Sequence, residues 1–232
     1  MKFIKFLIVL FLLPVGVTGQ ESFDEFLAEA SSLYYDSISI EQEPLYVGEV
    51  NPLVIRSRTS HPFFESRSWQ DGAIEFNDAV YQKVSFLYNL EAQNLILRRM
   101  DALARGGVLV DLTNVEWFRV GTNVFRKSPF DKRERFLQVL IEGTQFDLLA
   151  YRRKSSDTSP NGIIYVQNTD YFLEYQDKLI PLRDKNDLKR LFPDYKSINL
   201  AIKNENKKLK YSKFKEVLLT EYMRVFDEKL VD

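Results

Sequence analysis

Between Leu45 and Leu182 hydrophobic and polar residues alternate in short runs, and after Asp184 the apolar positions recur every three or four residues. Ala73-Ile74-Glu75-Phe76, then Asn77-Asp78, then Ala79 to Phe86 reads as strand, tight turn and strand. Asn94 to Arg99, Val108 to Leu112, Val115 to Val120 and Phe136 to Ile141 repeat the pattern, and Glu142-Gly143-Thr144 turns into Gln145 to Arg152. Lys154 to Gly162, crowded with Ser, Asp, Pro, Asn and Gly, reads as a loop. Ile163 to Gln167, Tyr171 to Tyr175 and, beyond a turn at Gln176-Asp177-Lys178, Leu179 to Leu182 complete the strands. Short strands with frequent turn signals predict an antiparallel meander, either a sandwich or an open barrel.

The helical period follows. Leu188, Leu191 and Phe192 mark one short helix ahead of Pro193, and Ile198, Ala201 and Ile202 a second. Phe214, Val217, Leu218, Tyr222 and Val225 mark a third, with Ser212 as its N-cap. Short helices are marginal alone, so these stripes are expected to pack on the sheet. Upstream, Phe23, Phe26, Leu27 and Ala30 behind a Ser22/Glu25 capping box predict a short lead-in helix ending before Pro44. The fold class is α+β, a β-rich antiparallel meander followed by a short C-terminal helical portion.

Residues 1–19 have a different character. Lys2 and Lys5 precede an uninterrupted apolar run from Phe6 to Leu13, Pro14 breaks it, and Val17-Thr18-Gly19 offers a cleavage site. This is the layout of a secretory signal peptide, and the run is too short to span a bilayer. The expectation is export to a periplasm or the extracellular space with cleavage between Gly19 and Gln20, and no cysteine follows that would make a lipoprotein. The organisation becomes a signal peptide over 1–19, a lead-in over 20–43, a β-rich domain over 44–182 and a basic helical portion over 183–232.

Phe86-Leu87-Tyr88-Asn89-Leu90, the Leu140-Ile141-Glu142-Gly143 turn and the tail around Leu188-Lys189-Arg190-Leu191-Phe192, behind a signal ending before Gln20, resemble a family of secreted Bacteroidota proteins without an assigned activity. The resemblance implies an envelope or secreted location and carries over no catalytic residue.

Composition narrows the chemistry. The 232 residues are 45% hydrophobic and include no cysteine and one histidine. That excludes disulfides, thiolate metal sites, a cysteine nucleophile and any site needing two histidines from one chain. An exported fold without disulfides must rest on its core, which a domain of this size can supply. No G-x-S-x-G elbow, phosphate loop, dinucleotide turn or H-E-x-x-H helix occurs. His61, beside Pro62-Phe63-Phe64, reads as an ordinary histidine in a loop or at a strand's start. Glu65, Asp71, Glu75 and Glu91 among Phe64, Trp69, Phe76 and Tyr88 outline an alternative, a carboxylate-dependent glycan hydrolase with a sugar-stacking surface. Asp170, Asp177 and Asp184 match no calcium-loop spacing. No cofactor is predicted. Trp69 and Trp117 are expected to anchor the core.

The formal charge of −1 is uneven. Arg183 to Lys215 holds eleven basic and four acidic residues, a balance of +7. Lys203, Lys207, Lys208 and Lys210 are its densest part and the candidate contact with an anionic glycan, a membrane surface or an envelope protein. Tyr34, Tyr35 and Tyr46 form a second candidate binding group. Nucleic acid is an unlikely partner for an exported chain of this balance. The expectation is a non-catalytic binding or structural module, with a glycan hydrolase or a carrier of a small apolar ligand as alternatives.

Overall fold

Left-handed residues punctuate the chain where its strands reverse. Asn77 and Asp78 have φ of 50° and 61°, and Asp131 and Lys132 have φ of 49° and 60°; paired positive φ is what a type I′ hairpin requires. The computed structural model describes residues 44–53, 57, 59–99, 106–160, 162–176, 178–191, 196, 200 and 215–231. In chain order the strands are β1 (Val50–Asn51), β2 (Gln70–Phe76), β3 (Ala79–Asn89), β4 (Asn94–Arg98), β5 (Gly107–Leu109) and β6 (Val115–Val120). They continue as β7 (Asn123–Phe130), β8 (Arg133–Glu142), β9 (Asp147–Ser159), β10 (Gly162–Tyr175) and β11 (Lys178–Pro181). Helices α1 (Lys185–Leu191) and α2 (Lys215–Val231) follow.

All eleven strands form one sheet in the order β1-β5-β4-β3-β2-β6-β7-β8-β9-β10-β11, and every pairing is antiparallel. The ends do not meet, so β1 and β11 are both edges. Pro181 on β11 removes a donor from one of them, a usual protection against stray pairing.

The sheet is strongly curved. β5 and β6 stand four places apart in it, yet residues 110–114 link them and include the 3₁₀ turn Leu112–Asn114. On a flat sheet the two would be about 19 Å apart, at about 4.8 Å per strand, further than so short and coiled a link can reach. Ring contacts fix the direction of the curl. Tyr88 on β3 meets Phe125 on β7, three strands away, at 5.1 Å between centroids. Phe130 on β7 meets Phe172 on β10, again three strands away, at 4.9 Å. The β7–β8 register runs from Phe125 to Phe130 without a shift, so these two phenylalanines point to opposite faces. The sheet therefore curls one way up to β7 and the other way beyond it.

Each curl has its own core. The first holds the buried rings of Phe64, Phe76, Phe86, Tyr88, Phe118, Phe125 and Phe136. The second encloses Leu137, Leu149, Tyr151 and Phe172. On the convex side of the second curl, Leu188 of α1 and Leu219, Tyr222 and Met223 of α2 cover Leu148, Ala150, Tyr171 and Leu173. Both helices thus pack on the sheet, as marginal helices must, but α2 does so through Leu219, Tyr222 and Met223, while Val217 of the expected stripe is exposed.

Three sequence expectations need correction. Lys154 to Ser159 is strand, because each of these residues is laddered to Gly162–Gln167 across a long hairpin. Turn-forming side chains are tolerated there because the partner strand satisfies their backbone groups. The stretches 163–167 and 171–175 are likewise one strand. Finally, the tryptophans do not anchor the main core: Trp69 packs beside a small cluster of Phe63, Leu87 and Ile96, and Trp117 is only half-buried. Phenylalanine fills the interior instead. The lead-in helix, the second predicted helix and the Ser212 cap fall outside the described residues or on isolated positions of them.

Candidate functional site

Of the sequence-selected binding residues, Tyr46 is the one that lies among the described residues. Lys203, Lys207, Lys208, Lys210, Tyr34 and Tyr35 lie outside the described residues. Tyr46, in the 3₁₀ turn Pro44–Tyr46, is half-buried against the aromatic core, and burial raises its phenol pKa. The carboxylate–aromatic grouping does not assemble as a surface. Phe64, Phe76 and Tyr88 are core rings, while Glu65, Asp71 and Glu91 are exposed.

His61 is held by structure rather than poised for chemistry. Lys154 Nζ donates to the carbonyl oxygens of His61 at 3.0 Å and Phe63 at 2.6 Å, clamping the loop to β9. Burial first, then the charges of Lys154 and Arg67, hold the imidazole below its ordinary pKa. Its Nδ1 is buried without a hydrogen-bond partner, so no carboxylate orients it as a base.

A polar network that sequence reading missed crosses the convex face. Arg152, 8% exposed, donates from Nε to Gln138 Oε1 at 2.7 Å, and its guanidinium also reaches Glu216 Oε1 at 2.8 Å and Oε2 at 2.7 Å. Tyr171 Oη donates to Glu216 Oε2 at 2.8 Å, and Gln138 Nε2 donates to Asn123 Oδ1 at 2.8 Å. Strands β7 to β10 are thereby tied to the first turn of α2. Burial would raise the Glu216 pKa, but hydrogen bonding and charge from Arg152, with the Tyr171 bond, outweigh it and hold it low. Burial and the Glu216 bond push the Tyr171 phenol far up. A fixed carboxylate and a phenol locked in its protonated form make a latch rather than an acid–base pair.

The latch has a pH signature. The Asp187 pKa is also lowered, first by the Arg183 backbone N–H, and that of Asp111 by Thr113. Groups with depressed folded pKa values stabilise the protein above their unfolded pKa, about 4 to 4.5, and lose that contribution as pH falls through the folded value. His61, also depressed, acts in the same direction from about pH 6.5 downward. The melting temperature should therefore hold level from pH 8 to 7, slip gently below 6.5 and drop steeply below 5. Equal melting temperatures at pH 7 and pH 4 would contradict this reading.

The other face of the same strands carries the open space. Arg126, Ser128 and Phe130 alternate along β7 toward the concave side of the second curl. Two contacts span that concavity from β7 to the far strands. Arg126 binds Asp147 at 2.9 Å and also Glu174, while Phe130 stacks edge-on against Phe172. Where the short edge strand β11 fails to reach the β7–β8 turn, a hollow of about 720 Å³ remains. Phe130, Phe172, Leu179 and Pro181 give it apolar walls, and Asp131, Asp170 and Arg183 stand at it as charged groups. Asp170 is paired with Arg153 at 2.8 Å. Near Arg126 a second hollow of about 480 Å³ is lined by Trp117, Val124 and Val139.

Among the described residues no helix is long and apolar enough to cross a membrane, and no group of three His, Asp or Glu residues is placed to hold a metal ion. No family model, curated protein or solved structure matches the chain.

Proposed function

We propose that the chain is a non-catalytic binding module, exported by its leader to the bacterial envelope, that holds a small apolar ligand in the hollow between the β7–β8 turn and β11. The observation supporting this is the hollow itself. Its volume of about 720 Å³ falls within the range of small-molecule sites, and seven of the ten residues that line it are aromatic, aliphatic or proline. A sheet closed by a full eleventh strand would have filled this space. Because β11 is four residues long and ends at a proline, the apolar interior stays accessible at one seam.

Of the charged groups at the hollow, Asp170 is committed to an ion pair with Arg153, and the Arg152–Glu216–Tyr171 network lies on the opposite face of the same strands. Such an arrangement orients and retains a ligand without supplying a nucleophile and a base within reach of it.

Titration with N-phenyl-1-naphthylamine, a neutral apolar fluorophore, tests the reading. We expect saturable enhancement with one probe per chain. Leu179→Glu, which brings a charge to a half-buried wall position, should weaken binding about tenfold or more, since losing one apolar contact and burying a charge both act against the probe. Non-saturating enhancement, or equal affinity in the variant, would refute the hollow as the binding place.

A further inference from the structure

Trp117 is the large side chain that packing leaves unexplained. It is half-buried on β6, yet its ring joins none of the four apolar clusters of the described residues. It lines the hollow of about 480 Å³ together with Val124 and Val139, a volume within the range of small-molecule sites. The β6–β7 and β7–β8 registers place these three residues on one side of the sheet, so they form a continuous apolar floor.

The charged residues that line the hollow cancel, Glu116 and Glu142 against Arg126 and Lys127. Both cations are engaged: Lys127 binds Glu116 at 3.0 Å and Glu134 at 3.8 Å, and Arg126 binds Asp147 and Glu174. Arg119, two residues beyond Trp117, donates to the Gly121 carbonyl at 2.7 Å. Glu142, exposed on the rim, is the lining charge without an ion-pair partner among the described residues, and one solvent-screened carboxylate selects for charge only weakly. What the rim leaves unfilled is hydrogen-bonding capacity. The Glu142 carboxylate, the Thr122 hydroxyl and the Trp117 indole N–H have no partner among the described residues, and Glu116 uses only Oε1 on Lys127. A ligand matched to these walls carries no net charge, lays an apolar face on the indole and the valines, and bears hydroxyls around its edge. A pyranose ring has that form: its C–H groups present an apolar face to an electron-rich ring, and its hydroxyls both donate and accept.

We propose that the Trp117 hollow is a second binding site, separate from the apolar hollow near Phe172, and that it takes a neutral hexopyranose unit stacked on the indole, with its hydroxyls on Glu142, Glu116 and Thr122. The site stands independently of the apolar ligand, because the two hollows share no lining residue. Arg126 is a positioning residue here, since its bonds to Asp147 and Glu174 hold its own charge away from the ligand.

Methyl β-glucopyranoside is the probe, added to the full chain while the indole ¹H–¹⁵N cross-peaks of the two tryptophans are followed by NMR. Trp117→Phe identifies the Trp117 peak by its loss. The expected result is a saturable movement of that peak with Trp69 unmoved, and saturation transfer to the sugar's ring C–H protons that Trp117→Ala removes. Glu142→Ala should weaken the apparent affinity at least about threefold, as loss of one solvent-screened acceptor would, while the Trp69 peak reports that the variant is folded. Glycerol, which has hydroxyls but no ring face, should leave the Trp117 peak in place. An equal response to glycerol would overturn the proposal, and an equal response to tetramethylammonium chloride would assign the hollow to a cation and overturn it too. So would the absence of saturable movement, or an affinity indifferent to Glu142→Ala. Naphthylamine binding in the other hollow should survive Trp117→Ala, so failure at either site leaves the other standing.

Discussion

Phe118→Ala should lower the unfolding free energy by about 4 kcal/mol, within the range for deleting a fully buried phenylalanine. Phe118 is 0% exposed and touches Phe86, Tyr88, Phe125 and Phe136, with centroid separations from 4.9 to 6.1 Å. These rings come from β3, β7 and β8 and meet only because the first curl folds the strands over β6. Removing the central ring opens a cavity that its neighbours cannot collapse into without uncurling the sheet. Typical domains have about 5–15 kcal/mol in all, so the loss would be a large share of the total. Phe118→Leu keeps most of the volume and should cost about 1–2 kcal/mol. Urea midpoints at unchanged slope measure both. A loss below about 1 kcal/mol for the alanine variant would mean that the ring is not at the centre of a packed core.

Arg152→Met is expected to cost about 2–3 kcal/mol. Breaking a buried ion pair from one side typically costs about 3–5 kcal/mol, but the Glu216 side chain is 36% exposed, so water recovers part of the penalty. The loss should be local before it is global. Glu216, Tyr171 and Gln138 each lose a partner, and the element that depends on them is α2. Amide exchange across Lys215–Val231 should therefore accelerate more than exchange in β3 or β6. Replacing Glu216 by Met in the same chain should restore part of the stability, because the uncompensated carboxylate leaves with it. If the double variant is as unstable as the sum of the single ones, the two residues do not act as a pair.

The parts of this fold that were legible in sequence are those governed by neighbours. Asn77-Asp78 announces its hairpin because two adjacent residues that tolerate positive φ stand between alternating runs. The helical period over the last element is visible for the same reason, but its phase is not: the buried face is Leu219, Tyr222 and Met223, of which only Tyr222 belongs to the expected stripe, and Val217 is exposed. Lys154 to Ser159 misleads because Ser, Asp and Thr satisfy turns as readily as they line a solvated arm, and only the partner strand decides. β7 shows no clean alternation and contains Pro129, so nothing local separates it from the turns on either side. Size alone points the tryptophans to the core, whereas the curl presses phenylalanines together.

The candidate sites were less legible still. Arg152 and Glu216 are 64 residues apart in sequence; their only local signals are a cation ending an apolar run, Leu148 to Tyr151, and a glutamate opening a helical pattern. Phe130 and Phe172 become walls of one hollow solely through the second curl.

Entry of an apolar ligand at the seam beside β11 can be mapped by amide and methyl NMR shifts in the full chain as N-phenyl-1-naphthylamine is added. Saturable shifts should peak at Phe130, Phe172 and Leu179, with β3, β6 and the Trp117 indole unmoved. Shifts that instead centre on the aromatic core around Phe118, or that spread evenly over the sheet without saturating, would contradict it.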